Sequence, residues 1–170
     1  DINFFKNTYQ FKKDLLLGKL KDNSVESIFS EFEKYRSRAP YVLNVETTNN
    51  CNMRCVMCPR TSLMTREIKG IGDEFFSIII NQMNPHSEED INSFFDFVKT
   101  TLGIEEHHRN ENAFYFYIVS THVILHGYGE PLVDPKIVDR VAFCSSKNIP
   151  TYFSCVPANI NLKKIRSVME

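Results

Sequence analysis

Strand and helix alternate three times along this chain, and that order predicts an α/β fold of parallel strands joined by right-handed crossovers. Three observations carry the prediction. Residues 41–47 alternate in character and are rich in strand formers behind Pro40, residues 73–83 repeat apolar side chains at helical spacing after Gly70 and Gly72, and the same order returns through 122–125, 134–148, 149–155 and 161–165. Parallel strands are normally buried on both faces, so a three-strand unit leaves an edge uncovered. The chain is therefore expected to be a domain truncated after its third β/α unit.

Residues 9–36 read as helical, with Phe11, Leu15 and Leu16, then Val25, Ile28, Phe29 and Phe32 on one face. Asn23-Ser24 caps the second of these helices, and Glu26 sits near its positive end. Residues 1–38 thus form an N-terminal helical segment, followed by a core over 39–170. Tyr41–Thr47 is its first strand and delivers a cysteine-rich loop from its C-terminal end.

More than forty residues separate Met83, at the end of the next helix, from Gly127. Ser87-Glu88-Glu89-Asp90 starts a further helix in the manner of a capping box, with Ile91, Phe94, Phe95 and Val98 on one face. Glu105–Asn112 is a polar loop. Its adjacent His107 and His108 do not easily converge on one ion and read as solvated. Ala113–Val119 and His122–Leu125 are β-branched or aromatic and read as extended, the latter being the second strand of the core. Residues 84–118 therefore read as an insertion of helix and strand.

Asp134-Pro135 starts the next helix, whose apolar face holds Ile137, Val138, Val141 and Cys144, and Asn148 suits its C-terminal cap. Ile149–Cys155 is the third strand. Asn161–Ile165 opens the last helix.

With 170 residues, 42% hydrophobic and 24% charged, the composition is that of a globular domain. A net charge of −1 gives no compositional reason to expect a nucleic-acid partner. No apolar run approaches the roughly 20 residues that span a bilayer, and no secretory signal pattern is present. Five cysteines without a disulfide framework favour a reducing compartment, and the cytoplasm is the expected location.

Three of those cysteines, Cys51, Cys55 and Cys58, crowd into one short loop. An odd group cannot pair internally, so metal is the better reading. A structural zinc site closes with four ligands, often two separated pairs, and no second C-x2-C follows. A cubane iron-sulfur cluster has four irons, so three thiolates leave one iron open to a substrate or cofactor.

Val45 through Arg60, carrying Cys51-Asn52-Met53-Arg54-Cys55-Val56-Met57-Cys58, resembles the strand end and cluster loop of radical S-adenosylmethionine (SAM) enzymes. Gly127-Tyr128-Gly129-Glu130-Pro131-Leu132 resembles the Gly-Gly-Glu-Pro segment that ends the second barrel strand in that family. Tyr128 stands where the family has glycine. Met57 stands where an aromatic is common, and its flexible apolar side chain is a substitute against an adenine edge.

The resemblance implies a partial six-stranded (β/α) barrel with the remaining strands outside this sequence. It also implies that Cys51, Cys55 and Cys58 bind three irons of a 4Fe-4S cluster, with SAM chelating the fourth through its amino and carboxylate groups. One electron from an external reductant of flavodoxin or ferredoxin type would then cleave SAM, and the 5′-deoxyadenosyl radical would abstract hydrogen from a substrate. Gly127, Gly129 and Glu130, with Met57, are the expected SAM contacts. Ser154 and Asn159 are candidates at the end of the third strand, where a polar turn is an equal alternative.

The motif style is similar to members that carry auxiliary clusters in a C-terminal extension and act on peptides, carbohydrates or small alcohols. The substrate is not identified by these residues. Two other functions share the cysteines: an iron-sulfur electron carrier, which needs a fourth ligand, and a zinc-binding interaction module completed by a distant histidine such as His126. Cys144 and Cys155 read as buried apolar residues, and Arg60 and Arg66 as solvated loop arginines.

Overall fold

The computed structural model describes residues 2–38, 42, 44–105, 111–156, 158 and 160–170. Its elements are α1 (Ile2–Leu16), α2 (Val25–Glu33), α3 (Arg60–Leu63), α4 (Asp73–Asn81), α5 (Glu88–Leu102), α6 (Glu111–Thr121), β1 (Val123–Ile124), a 3-10 turn (Pro131–Val133), α7 (Ile137–Ser145), β2 (Thr151–Tyr152) and α8 (Leu162–Met169). They divide into two compact units, residues 1–41 with 86–121 and residues 42–85 with 122–170. The N-terminal segment and the insertion therefore build one unit together.

That first unit is helical. Ile2, Phe94 and Val98 form its buried centre, with Phe5, Ile91, Phe95 and Phe97 packed around them. The Phe5 ring meets Phe94 at 6.4 Å and Phe97 at 5.9 Å edge-on, while Phe32 of α2 meets Phe4 at 5.9 Å and Phe11 at 5.4 Å. Polar ties flank the apolar seam, where Asn3 donates to Asp90 at 2.8 Å and Lys6 to Ser93 at 2.6 Å. Ser87 caps α5 by accepting from Asp90 N–H at 3.1 Å, and Gly103, with φ of 68°, ends it.

Ala113–Val119, expected as extended, lies within helix α6. Strand preference of aromatic and β-branched residues depends on having a sheet to join. Here the partner is a helix: Tyr117 stacks on Phe95 at 5.3 Å, and the Thr121 hydroxyl donates back to Tyr117 O at 2.6 Å.

The second unit holds the strands. β1 and β2 pair in parallel, Val123 against Thr151 and Ile124 against Tyr152, and Asn44 forms a parallel bridge to Ile124. Val45 N–H donates to Ile124 O at 2.8 Å, and Leu125 N–H to Tyr152 O at 2.8 Å. The first, second and third predicted strands thus lie side by side in sequence order. Regular pairing is shorter than the predicted spans, and Tyr41 and Leu43 of the first, with Pro40 before it, lie outside the described residues. Val45, Phe76, Ile80, Val123, Leu125, Ile137, Cys144 and Ile149 make the core beneath the sheet. Each fully buried aliphatic side chain there contributes about 1.5–3 kcal/mol.

Helix α7 begins at Ile137, after Asp134 rather than on it, and its end follows the expected chemistry. Asn148 adopts φ of 56°, Ile149 N–H donates to Cys144 O at 3.0 Å and Asn148 N–H to Ser145 O at 2.9 Å, a Schellman closure that buries Ile149 beside Cys144. Asn161 caps α8 by accepting from Lys164 N–H at 3.1 Å. Among the described residues no helix is long and apolar enough to cross a membrane.

Candidate functional site

The cysteine loop leaves the first strand through a buried polar stem. Thr48 bridges Gly70 in antiparallel fashion, and Ile71 N–H donates to Thr47 O at 2.9 Å. Asn49, almost fully buried, uses both ends of its amide: Nδ2 donates to Glu67 O at 2.8 Å and Oδ1 accepts from Lys69 N–H at 2.7 Å. This closes the loop at its base, so residues from Asn50 to Arg66 project as one unit.

Within the loop, Arg60 donates to Cys51 O at 2.8 Å and to Met53 O at 3.1 Å, curling the first turn around its guanidinium. Arg60 is therefore a loop-building residue rather than a solvated one. Cys58 N–H donates to Cys55 O at 3.1 Å, and α3 starts directly behind, with Pro59 at its N-cap. A cavity of about 510 Å³ opens beside this turn, lined by Cys51, Met53, Arg54, Arg60, Thr61 and Ile68.

All five cysteines are free. Cys51 and Cys58 are half-buried and Cys55 is exposed; beside it Val56 and Met57 stand fully in solvent, Met57 at 92% exposure. The donor set suits an iron-sulfur cluster, with three unpaired soft thiols on one loop above a fixed stem. Their arrangement is open: among the described residues no three His, Cys, Asp or Glu side chains converge as a metal site. Joint ligation by Cys51, Cys55 and Cys58 requires the loop tip to draw in, which is the usual coupling of metal binding to local folding.

The Gly127–Pro131 segment is docked against the stem. Glu130 N–H donates to Asn50 O at 2.9 Å. Gly129 passes so close that a Cβ there would stand 1.8 Å from Thr48 O, so only glycine permits this approach. A Cβ on Gly127 would meet the Glu46 carboxylate at 2.6 Å, and Glu46 in turn pairs with Arg66 at 3.0 Å. The two motifs singled out in the sequence are therefore neighbours, joined through backbone.

Glu130 itself is buried and occupied. One carboxylate oxygen accepts from Leu132 N–H at 3.2 Å and the other from Val156 N–H at 3.1 Å, which ties the end of the second strand to that of the third. Its side chain acts as a brace between strand ends, and the segment's free surface is its glycine backbone and Tyr128.

Ser154 lies exposed at the end of the third strand, where its N–H donates to His126 Nδ1 at 3.2 Å. Burial lowers the His126 pKa against the opposing pull of Glu130, so a neutral ring accepts this bond and carries its proton on Nε2. Burial, then the Glu130 charge, raises the Cys155 thiol. Asn159 and the His107–His108 pair lie outside the described residues.

A buried pair here, Arg140 with Asp134, gave no sequence signal as a pair, Asp134 reading only as a helix start. Arg140, on the predicted apolar helix α7, is buried and donates to Thr47 O at 2.8 Å and Ile71 O at 2.7 Å, besides pairing with the buried Asp134. Nothing in their spacing marks them, because the pairing depends on the stem lying over α7. Comparison of the chain with protein-family models, curated proteins and solved structures finds no match to any of the three.

Proposed function

We propose that this chain carries β/α units of the barrel of a radical SAM enzyme, with Cys51, Cys55 and Cys58 holding three irons of a 4Fe-4S cluster. The observation that carries the reading is the bond from Glu130 N–H to Asn50 O, which sets the glycine segment against the residue preceding Cys51. That two motifs from separate stretches of the sequence abut favours this reading over an electron carrier or a zinc module.

When bound, the cluster supplies the electron that divides SAM into methionine and a 5′-deoxyadenosyl group able to take hydrogen from a substrate. The chain's own residues bind and orient. Gly127, Tyr128 and Gly129 offer backbone groups beside the loop for the amino end of SAM, and Arg60 holds the loop's first turn. The thiols of Cys51, Cys55 and Cys58 give up their protons on ligation. Met57 and Ser154 are the further SAM contacts in this reading, and the substrate is a peptide, carbohydrate or small metabolite. A reductant of flavodoxin or ferredoxin type and a reducing, cytoplasmic location go with it.

Anaerobic reconstitution with iron and sulfide, reduction and addition of SAM are expected to yield 5′-deoxyadenosine. Stoichiometric zinc in place of iron, or no 5′-deoxyadenosine from the full-length protein, overturns the reading.

A further inference from the structure

We propose that Arg140 is a positioning residue that fixes the cysteine loop relative to the glycine segment, acting through its fork of hydrogen bonds. This rests on the function proposed above. One guanidinium reaches every segment involved. Nη1 donates to Thr47 O, at the exit of the first strand toward Cys51, and also to the carboxylate of Asp134, just beyond the Gly127–Pro131 segment; Nη2 donates to Ile71 O, where the loop returns. Phe76 lies beneath the guanidinium at 5.5 Å. The second oxygen of Asp134 accepts from Lys136 N–H at 2.9 Å, so the acid is fixed independently of its partner.

Stability alone is a poor explanation for this arrangement. A buried ion pair is often no more stabilising than apolar side chains of the same volume. Here Arg140 Nε and Thr47 Oγ1 are also buried without a hydrogen-bond partner among the described residues. Each such atom costs stability, whereas a planar fork with fixed donor directions specifies the relative position of three backbone segments. Thr47 and Asp134 stand at the roots of the two motifs, so a shift of Arg140 moves one motif against the other.

Arg140→Lys keeps the charge, but a single ammonium cannot hold Thr47 O, Ile71 O and Asp134 together in the same directions. The double variant Arg140→Gln, Asp134→Asn removes both charges and keeps polar groups in place. With the reconstituted, reduced protein, SAM is titrated and the change in the cluster's electron paramagnetic resonance spectrum is read. Both variants are expected to retain iron and circular dichroism while the half-point for SAM rises roughly tenfold. In the metal-free chain the amides of Asn49, Ile71 and Glu130 are expected to exchange roughly tenfold faster, with Val123 and Leu125 unchanged.

An unreconstituted or SAM-insensitive wild type sinks the proposed function alone, and the exchange rates still decide the coupling. Unchanged exchange, or an unchanged half-point in a responsive protein, overturns the positioning role. So does loss of the whole fold in both variants, which would make Arg140 purely architectural.

Discussion

Glu130 donates its backbone N–H to the carbonyl oxygen of Asn50 at 2.9 Å, and its side chain reaches the other way, to Val156 N–H at 3.1 Å. One residue thus joins the cysteine loop to the ends of the second and third strands. The backbone bond needs close approach, and the side-chain bonds need a buried carboxylate; both requirements are testable.

Gly129→Ala places a methyl group 1.8 Å from Thr48 O, a backbone atom that no rotamer change moves. The stem must shift, and a loss of about 3 kcal/mol is expected in urea unfolding. Gly127→Ala is the control. There the obstacle is the Glu46 side chain, which swings aside and gives up its exposed pair with Arg66, worth about 0.2–1 kcal/mol. Equal losses in the two variants would contradict the close approach at Gly129.

Glu130→Gln turns one acceptor oxygen into an NH2 group facing Leu132 N–H or Val156 N–H. Two donors then oppose each other in a buried site. Destabilisation of about 1–3 kcal/mol is expected, although the substitution is nearly isosteric. An unaltered urea midpoint would show that the brace carries no weight.

Thiol accessibility separates the cysteines. In the metal-free chain Cys55 is exposed, while Cys144 is buried and its pKa is pushed up to about 11 by desolvation. Iodoacetamide at neutral pH is expected to label Cys55 first and Cys144 only on unfolding. Reconstitution with iron and sulfide is expected to protect Cys51, Cys55 and Cys58 together. Protection of one or two alone would contradict their joint ligation.

Local chemistry made much of the fold legible. Ser87, Asn161 and Asn148 signal helix ends because their side chains or left-handed backbone satisfy nearby groups, and they do so here. The run over 113–119 misled for the converse reason: its strand preference had no sheet to join, and helix packing on Phe95 prevailed. At the site, the cysteines and glycines announced themselves through spacing. The pairing of Arg140 with Asp134 did not, because a buried pair between a helix and the turn before it becomes visible only once the stem above it is placed.

His126 gives a pH test of the strand-end cluster. Burial lowers its pKa below the ordinary 6.5, with the Glu130 charge opposing, and His122 is lowered by burial as well. Well above pH 6.5 both rings are neutral in the folded and unfolded chain, and their contribution to stability is complete. As pH falls from 6.5 toward the lowered folded values, the unfolded chain binds protons that the folded chain refuses, so stability declines. Protonation of His126 also converts Nδ1 from acceptor to donor opposite Ser154 N–H, which breaks the 3.2 Å bond. His126→Asn keeps an acceptor near that N–H and removes the titration. Urea midpoints measured between pH 5 and 7 are therefore expected to fall on acidification in the wild type and to fall less steeply in the variant, with His122 supplying the remaining slope. Identical slopes would mean that His126 is not held neutral by the fold.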